Sequence, residues 1–324
     1  LNLKFAKIMA TSTSITTTYA GESAGKYISA ALLAGNTIAN GGLTIRPNVK
    51  FKEVVKRLEL DGIVKDGTCD FADTSTLTLT ERILQPEEFQ VNLELCKKDF
   101  RSDWDAVSMG YSAFDNLPSS FQDYLIGHVA AKVAQKQEQN IWGGTNATAG
   151  EYDGFSTLLA ADADLPAANE VTGTSVDASN VVAELGKVVD AIPAALYGRD
   201  DLMIYVAQNV FRAYKRALGG FQSGGQGAAG FQDKGNNQNI NIESFDGVKI
   251  FMANGLASDT MIATTKDNLH FGTGLMSDQN EVKILDMADL DGSQNVRIIM
   301  RFTAGVQYGI VEDIVTYGIV NGAN

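Results

Sequence analysis

Histidine and cysteine are nearly missing from this 324-residue chain, which holds two of each: His128, His270, Cys69 and Cys96. Two cysteines cannot build a disulfide scaffold, and the four residues show no metal-ligand spacing. No metal and no cofactor are therefore expected, and each of the four reads as a packed or surface residue. No stretch approaches the 18 or so consecutive apolar residues of a membrane-spanning helix. The opening LNLKFAKIMATSTSITTTYA has lysines but no apolar segment, so no secretory signal is expected there. GxSxG and HExxH do not occur, and neither histidine has a plausible Ser or Cys partner. Carboxylate pairs such as Glu87-Glu88, Asp103/Asp105 and Asp200-Asp201 read as solvated faces in so acidic a chain. No catalytic residue is assigned, and an enzyme is not expected.

Two glycine-rich stretches invite a nucleotide-binding reading. GGQGAAG sets Gly225, Gly227 and Gly230 at GxGxxG spacing, but the dinucleotide fingerprint needs a strand before it and a helix after it. Here a helical pattern precedes and polar coil follows, so an enzyme using residues 224–230 stands only as a second alternative. GESAGKY, with its lysine at Lys26, is one residue short of a P-loop and lacks its Ser/Thr. Asn146-Ala147-Thr148 fits a glycosylation acceptor, with nothing to indicate secretion.

Charge is plentiful and unevenly spread. With 26 basic and 39 acidic residues the net charge is −13, yet residues 1–65 carry +5 and the remainder −18. Such polarity suits head-to-tail contact between copies of one chain, or a basic arm on an anionic surface. A chain this acidic is a poor stand-alone DNA binder.

Residues 1–35 are rich in Ser, Thr, Ala and Gly and read as an extended arm. Thr44 to Val64 is strand-like, and Thr76 to Leu84 alternates Leu77, Leu79 and Ile83 with polar residues. Together they predict a long basic hairpin, which as a lone two-stranded ribbon needs a partner surface. Phe89, Val91, Leu93 and Leu95 alternate strictly, as in a strand with one buried face. PSSFQDYLIGHVAAKVAQKQEQNIW predicts a helix of about 37 Å, with Pro118 and a Ser119/Gln122 capping box at its start. Its stripe is Phe121, Leu125, Val129 and Val133; Ala130, Ala131 and Ala134 allow close approach, and Lys132, Gln135, Lys136, Glu138 and Gln139 are expected in water. After a polar connector over 161–176, Asp177 opens a second helix with Val181, Leu185, Val188 and Ile192 on one face. LMIYV (Leu202 to Val206) reads as a central strand, followed by a short helix with Arg212, Lys215 and Arg216 outward. Gly219 to Asn239 is a low-complexity loop, and the rest reads as strands: Ile240–Ile242, Val248–Met252, Met261–Thr264, Leu269–Phe271, Val282–Leu285, Val296–Ala304 and Val306–Tyr317. The class is α+β without a regular βαβ repeat.

This order resembles the major capsid protein of tailed bacteriophages, the Hong Kong-97-type fold. TIRPNVKFKEVVKRLELDGIVKDG and TLTLTERIL look like that family's extended arm and E-loop. LELCKKDFRSDWDAV, the long helix ending in EQNIWGG, and YDGFSTLL look like its spine helix and the turn beyond. LMIYVAQNVFRAYKRAL and FDGVKIFMANGL are similar to its axial domain, and TMIATTKDNLHFGTGL and VRIIMRFTAGVQYGIVEDIVTYG to its closing strands. The resemblance implies an N-terminal arm (1–40), an E-loop hairpin (41–86), a peripheral domain with the spine helix (87–176), an axial domain (177–280) and closing peripheral strands (281–324). It implies a virion coat subunit, assembled in the cytoplasm of a bacterial host. The subunit would pair with itself in hexamers and pentamers of an icosahedral shell around double-stranded DNA held by non-specific contact. Scaffold, portal and decoration proteins are further partners it allows; a membrane is not. Some members cross-link lysine to asparagine, but no motif here fixes a partner asparagine. The expected inter-subunit contacts are Arg46, Lys50, Phe51, Lys52, Lys56, Arg57, Phe221 and Phe231, with Val49, Phe51 and Val55 as the hairpin's apolar face. The first alternative is an encapsulin shell, a related class whose members tend to be shorter.

Overall fold

A computed structural model describes residues 35–61, 76–96, 119–218, 244–275, 283–288 and 292–322, with 64, 66, 67 and 69 besides. Most of the expected arm, the Gly219 to Asn239 loop and Ile240–Ile242 lie outside these residues. In chain order the elements are α1 (Asn36–Ala39), β1 (Thr44–Arg46), β2 (Glu53–Asp61), β3 (Thr76–Leu84), β4 (Glu87–Cys96) and α2 (Ser119–Gly143). Then come α3 (Phe155–Ala160), β5 (Glu170–Val171), α4 (Val181–Asp190), β6 (Leu202–Val206), α5 (Gln208–Leu218), β7 (Ser244–Phe245) and β8 (Val248–Met252). The chain closes with β9 (Met261–Thr265), β10 (Leu269–Gly272), β11 (Lys283–Asp286), β12 (Asn295–Tyr308) and β13 (Val315–Tyr317). The α+β class expected from the sequence is the class found.

The chain divides into two compact units. One comprises residues 1–32, 89–133 and 277–302. Among its described residues, β11 runs antiparallel to the first half of β12, with Leu285 opposite Arg297, and β4 also pairs with β12. Phe89, Val91, Leu93 and Leu95 of β4 are half-buried and their alternate neighbours exposed, as the period of two demands. Val296, Ile298 and Met300 of β12 are buried, and the Phe89 and Phe302 rings lie 5.8 Å apart. Val129 of α2 is buried here and Val133 half-buried. Ala130 and Ala131 are exposed.

The second unit holds residues 33–88, 134–276 and 303–324. Its sheet has the order β5-β13-β9-β6-β8-β7. Every residue of β6 is buried, as its unbroken apolar run requires of a central strand. β6 is parallel to β8 and antiparallel to β9, while Asp246 (φ 48°) and Gly247 (φ 80°) turn β7 into β8 with the left-handed geometry hairpins favour. Val181, Leu185, Val188 and Val189 form the buried side of α4. The polar connector is not wholly irregular, because its Glu170–Val171 adds an edge strand beside β13. The final strands differ from expectation too. Thr303 to Tyr308 continues one long β12, and Val315–Tyr317 joins the sheet of β6, β8 and β9. β1 does not extend the hairpin either; it runs parallel to β10, with Ile45 opposite Phe271.

The last turns of α2 form the aromatic centre of this unit. The Trp142 ring packs at a tilt against Phe155 (5.5 Å) and Tyr205 (5.1 Å), and Tyr205 likewise against Phe251 (5.5 Å). Glu138, expected in water, is 1% exposed. Its carboxylate accepts the Thr37 amide N–H at 3.0 Å and the Thr37 hydroxyl at 2.5 Å, and Trp142 Nε1 donates to the same hydroxyl at 2.8 Å. Burial raises the carboxyl above its usual range, against the pull of Thr37 and the Gly255 N–H. A Cβ on Gly255 would fall 1.9 Å from the Glu138 carbonyl oxygen, so only glycine fits there. The helical period put Glu138 on the wet side because it takes no account of the segment carrying Thr37.

Candidate assembly interface

β2 and β3 pair antiparallel over their whole length, with Val54 opposite Ile83, Lys56 opposite Glu81 and Leu58 opposite Leu79. Side chains alternate between faces, and the two faces have opposite fates. One face carries Val55, Arg57, Arg82 and Leu84 and rests on its own chain. Leu84 is fully buried, its side chain filling the space beside Gly272. Arg57 pairs with Glu312 at 2.6 Å. Arg82 pairs with Asp162 at 2.7 Å and lies 4.7 Å over the Tyr308 ring. The Tyr308 hydroxyl donates to the same Asp162 at 2.6 Å, and Gln307 Nε2 donates to the Ile83 carbonyl at 3.1 Å. Burial pushes Asp162 up, but Tyr308, the Asp164 N–H and Arg82 outweigh it and hold the carboxyl below its usual range. Glu312 is likewise lowered, its burial outweighed by Arg57.

The other face is apolar and uncovered. Val54 is 41% exposed, Leu58 59%, Leu77 62%, Leu79 63% and Ile83 47%. Lys56 and Glu81 form the one charged rung among these residues. An apolar ladder of this kind is rare on a chain that works alone. A long two-stranded ribbon with a greasy outer face also risks indiscriminate pairing unless a partner covers it.

The residues expected at this interface are distributed as follows. Phe51 is 69% exposed and Lys50, Lys52 and Lys56 are exposed, with Lys52 Nζ 5.3 Å from the Phe51 ring. Arg46 lies on β1, 3.6 Å from Glu53. Arg57 faces inward, bound to Glu312 of its own chain. Phe221 and Phe231 lie outside the described residues. Val49 is a correction: it is buried and hydrogen-bonded to the Thr273 carbonyl, because Asn48 (φ 64°) turns the chain back onto β10. Val55 is half-buried on the inward face. The uncovered ladder is Val54, Leu58, Leu77, Leu79 and Ile83, one register position away from the face expected. The strict alternation of Leu77, Leu79 and Ile83 in TLTLTERIL was the signal for it.

A cleft of about 410 Å³ opens beside the hairpin's base, lined among others by Arg46, Arg57, Arg199, Asp267 and His270. Its arginines are already engaged, Arg46 with Glu53, Arg57 with Glu312 and Arg199 with Asp201. His270 is held neutral, its pKa lowered to about 4 by burial and by the nearby Arg46. Nothing in it resembles a nucleophile with its base. Among the described residues no group of His, Cys, Asp and Glu could hold a metal, and no helix is long and apolar enough to cross a membrane.

No protein-family model and no curated protein matches the chain. Solved structures do. The capsid of a native GTA particle aligns with a TM-score of 0.60 at 13% identity, covering 91% of this chain and 94% of that one. The capsid of the cyanophage P-SCSP1u aligns with a TM-score of 0.55 at 12% identity, covering 90% of each. The fold is that of a phage capsid protein. A structure from Mycobacterium phage Adephagia agrees, with a TM-score of 0.58 at 15% identity over 89% of this chain and 91% of that one. Nine-tenths coverage in both directions means that the capsid fold accounts for hairpin, helix and sheets together. At such low identity the likeness lies in the backbone and its topology, and few side chains are shared.

Proposed function

We propose that this chain is a major capsid protein, whose copies assemble as hexamers and pentamers into an icosahedral shell enclosing phage double-stranded DNA. The observation that carries the reading is the two-faced hairpin, clamped to its own subunit on one side and apolar and uncovered on the other. A second copy supplies the missing cover. Burying the exposed half of five such side chains would contribute roughly 1 kcal/mol each, about 5 kcal/mol per hairpin. At about 1.4 kcal/mol per tenfold this is worth three to four decades of affinity, before the losses of association. Lys50, Lys52 and Lys56 at the hairpin's base face an excess of negative charge on neighbouring copies, which favours and orients docking. The virion is then where the protein resides, and scaffold, portal and decoration proteins are compatible partners.

The test is the Leu58→Asp/Leu79→Asp double variant, followed by size-exclusion chromatography, circular dichroism and negative-stain microscopy. Both residues are exposed, so the subunit should fold as before but form no shells. Full-sized particles from the variant would rule out the hairpin as an assembly clamp. An unfolded variant would assign the ladder to the subunit's own core, and a wild-type protein that never forms shells would defeat the proposal itself.

A further inference from the structure

We infer that the outer face of α5 contacts phosphates and holds the backbone of a nucleic acid without reading its sequence. The inference rests on the shell reading above and adds the residues that touch the contents. Arg212, Lys215 and Arg216 are all exposed on this helix. At i, i+3 and i+4 they share one face within about 6 Å along the axis. Val210, Ala213 and Tyr214, on the opposite side, are buried, so the cations point away from the subunit's core. The helix contains no acidic residue.

Two features separate this face from an ordinary solvated surface. None of its three cations has a carboxylate within ion-pair distance among the described residues, whereas Arg57, Arg82, Lys136, Arg199 and Arg297 each have one. In a chain of net charge −13, three neighbouring cations without partners run against composition. Like charges at these spacings also destabilise a helix. The helix dipole favours Lys215 and Arg216 in the last turn but fades before Arg212. What contacts the side chains do make leave their charge intact. Lys215 Nζ lies 4.7 Å over the Phe211 ring, and Arg212 donates to Gln208 at 3.4 Å.

The composition favours phosphate over an acidic protein surface. The exposed positions of α5 are Gln208, Arg212, Lys215 and Arg216, with no apolar residue among them. Protein interfaces are built around apolar cores depleted of charge, which the hairpin ladder offers and this face does not. A duplex presents a negative charge about every 1.7 Å of its axis, a charge density that a cluster of three cations can meet without any base contact. Contact limited to phosphate is sequence-blind and weakens with salt, and the acidity of the rest of the chain keeps it local.

The test uses the purified full-length protein and a fluorescein-labelled random-sequence duplex of about 30 base pairs, with anisotropy read at about 50 and about 200 mM salt. The Arg212→Gln/Lys215→Gln/Arg216→Gln variant should bind at least about tenfold more weakly at the lower salt. Its slope of log affinity against log salt should be smaller by about two to three, near 0.9 per lost phosphate contact. Arg212→Lys/Arg216→Lys should retain wild-type binding, and unrelated sequences should behave alike. If the triple variant loses its circular dichroism, Arg212→Gln alone replaces it, with an expected slope change of about 0.9. Equal binding by wild type and variant, or none by wild type at about 50 mM salt, overturns the inference. Loss of self-association with unchanged DNA binding also overturns it and makes the face a contact between copies. Wild-type shells seen by microscopy alongside any of these negative results would leave the shell reading standing while this inference falls.

Discussion

Glu138→Gln is the sharpest probe of the subunit's interior, because it changes almost no volume. The buried carboxylate accepts Thr37 N–H at 3.0 Å and Thr37 O–H at 2.5 Å, and draws on the Gly255 N–H as well. A primary amide offers one acceptor where the carboxylate offers two. Whichever way it turns, its N–H₂ group meets a donor that the carboxylate had satisfied. Losing a hydrogen bond to charge costs about 1.5–3 kcal/mol, and a buried unpaired donor costs about 1–3 kcal/mol. The neutral amide avoids part of the carboxylate's desolvation penalty, so the net loss should be roughly 2–3 kcal/mol. At about 2–4 °C per kcal/mol, the melting temperature should fall by roughly 5–10 °C at pH 7. The pH dependence carries a definite sign. A carboxyl raised in the fold binds its proton more tightly there than in the unfolded chain. Its contribution is therefore fully present below the unfolded pKa and is lost as pH rises through the folded one. Wild type should gain stability over the variant as pH falls from 7 towards 5. Scanning calorimetry of both proteins at the two pH values decides the matter. A variant that melts with wild type at pH 7, or a gap that narrows on acidification, would refute the argument.

His270→Gln should act in the opposite direction with pH. The folded pKa of about 4 lies below the ordinary 6.5, so the unfolded chain takes the proton first. Stability due to this residue is lost as pH falls from 6.5 towards 4, and the variant's melting temperature should vary less between pH 7 and 5 than wild type's. A variant with the wild-type pH profile would show that the imidazole does not stay neutral. Val129→Asp places a charge at a buried position of α2, should cost several kcal/mol, and should yield insoluble protein. Soluble, heat-stable protein from that variant would show that the helix does not bury this stripe.

Local pattern settled those elements whose fate depends on one or two neighbours. β3, β4, α2 and β6 lie within two residues of their expected bounds, because alternation, a helical period and an unbroken apolar run are local signals. The choice of partner was not local. β1 left the expected hairpin for β10, 226 positions along the chain with Arg46 opposite Gly272, and nothing in TIR specifies that pairing. Glu170–Val171 became a strand only because β13 offers it an edge. Glu138 reads as a wet residue until Thr37 is brought to it across about a hundred positions of chain.

The hairpin shows the same limit at the level of function. That it would leave apolar residues uncovered was legible from its composition, since two strands cannot bury both their faces. Which face stays uncovered depends on where the ribbon is tied down, and Arg57, Arg82 and Leu84 decide that from one side. Had Val55 and Arg57 faced outward, Leu58 and Leu79 would have met Glu312 and Asp162, and the two arginines would have lost their carboxylates. The clamp therefore selects which face stays uncovered: the ion pairs that hold the hairpin to its own subunit are also what turns its leucines outward.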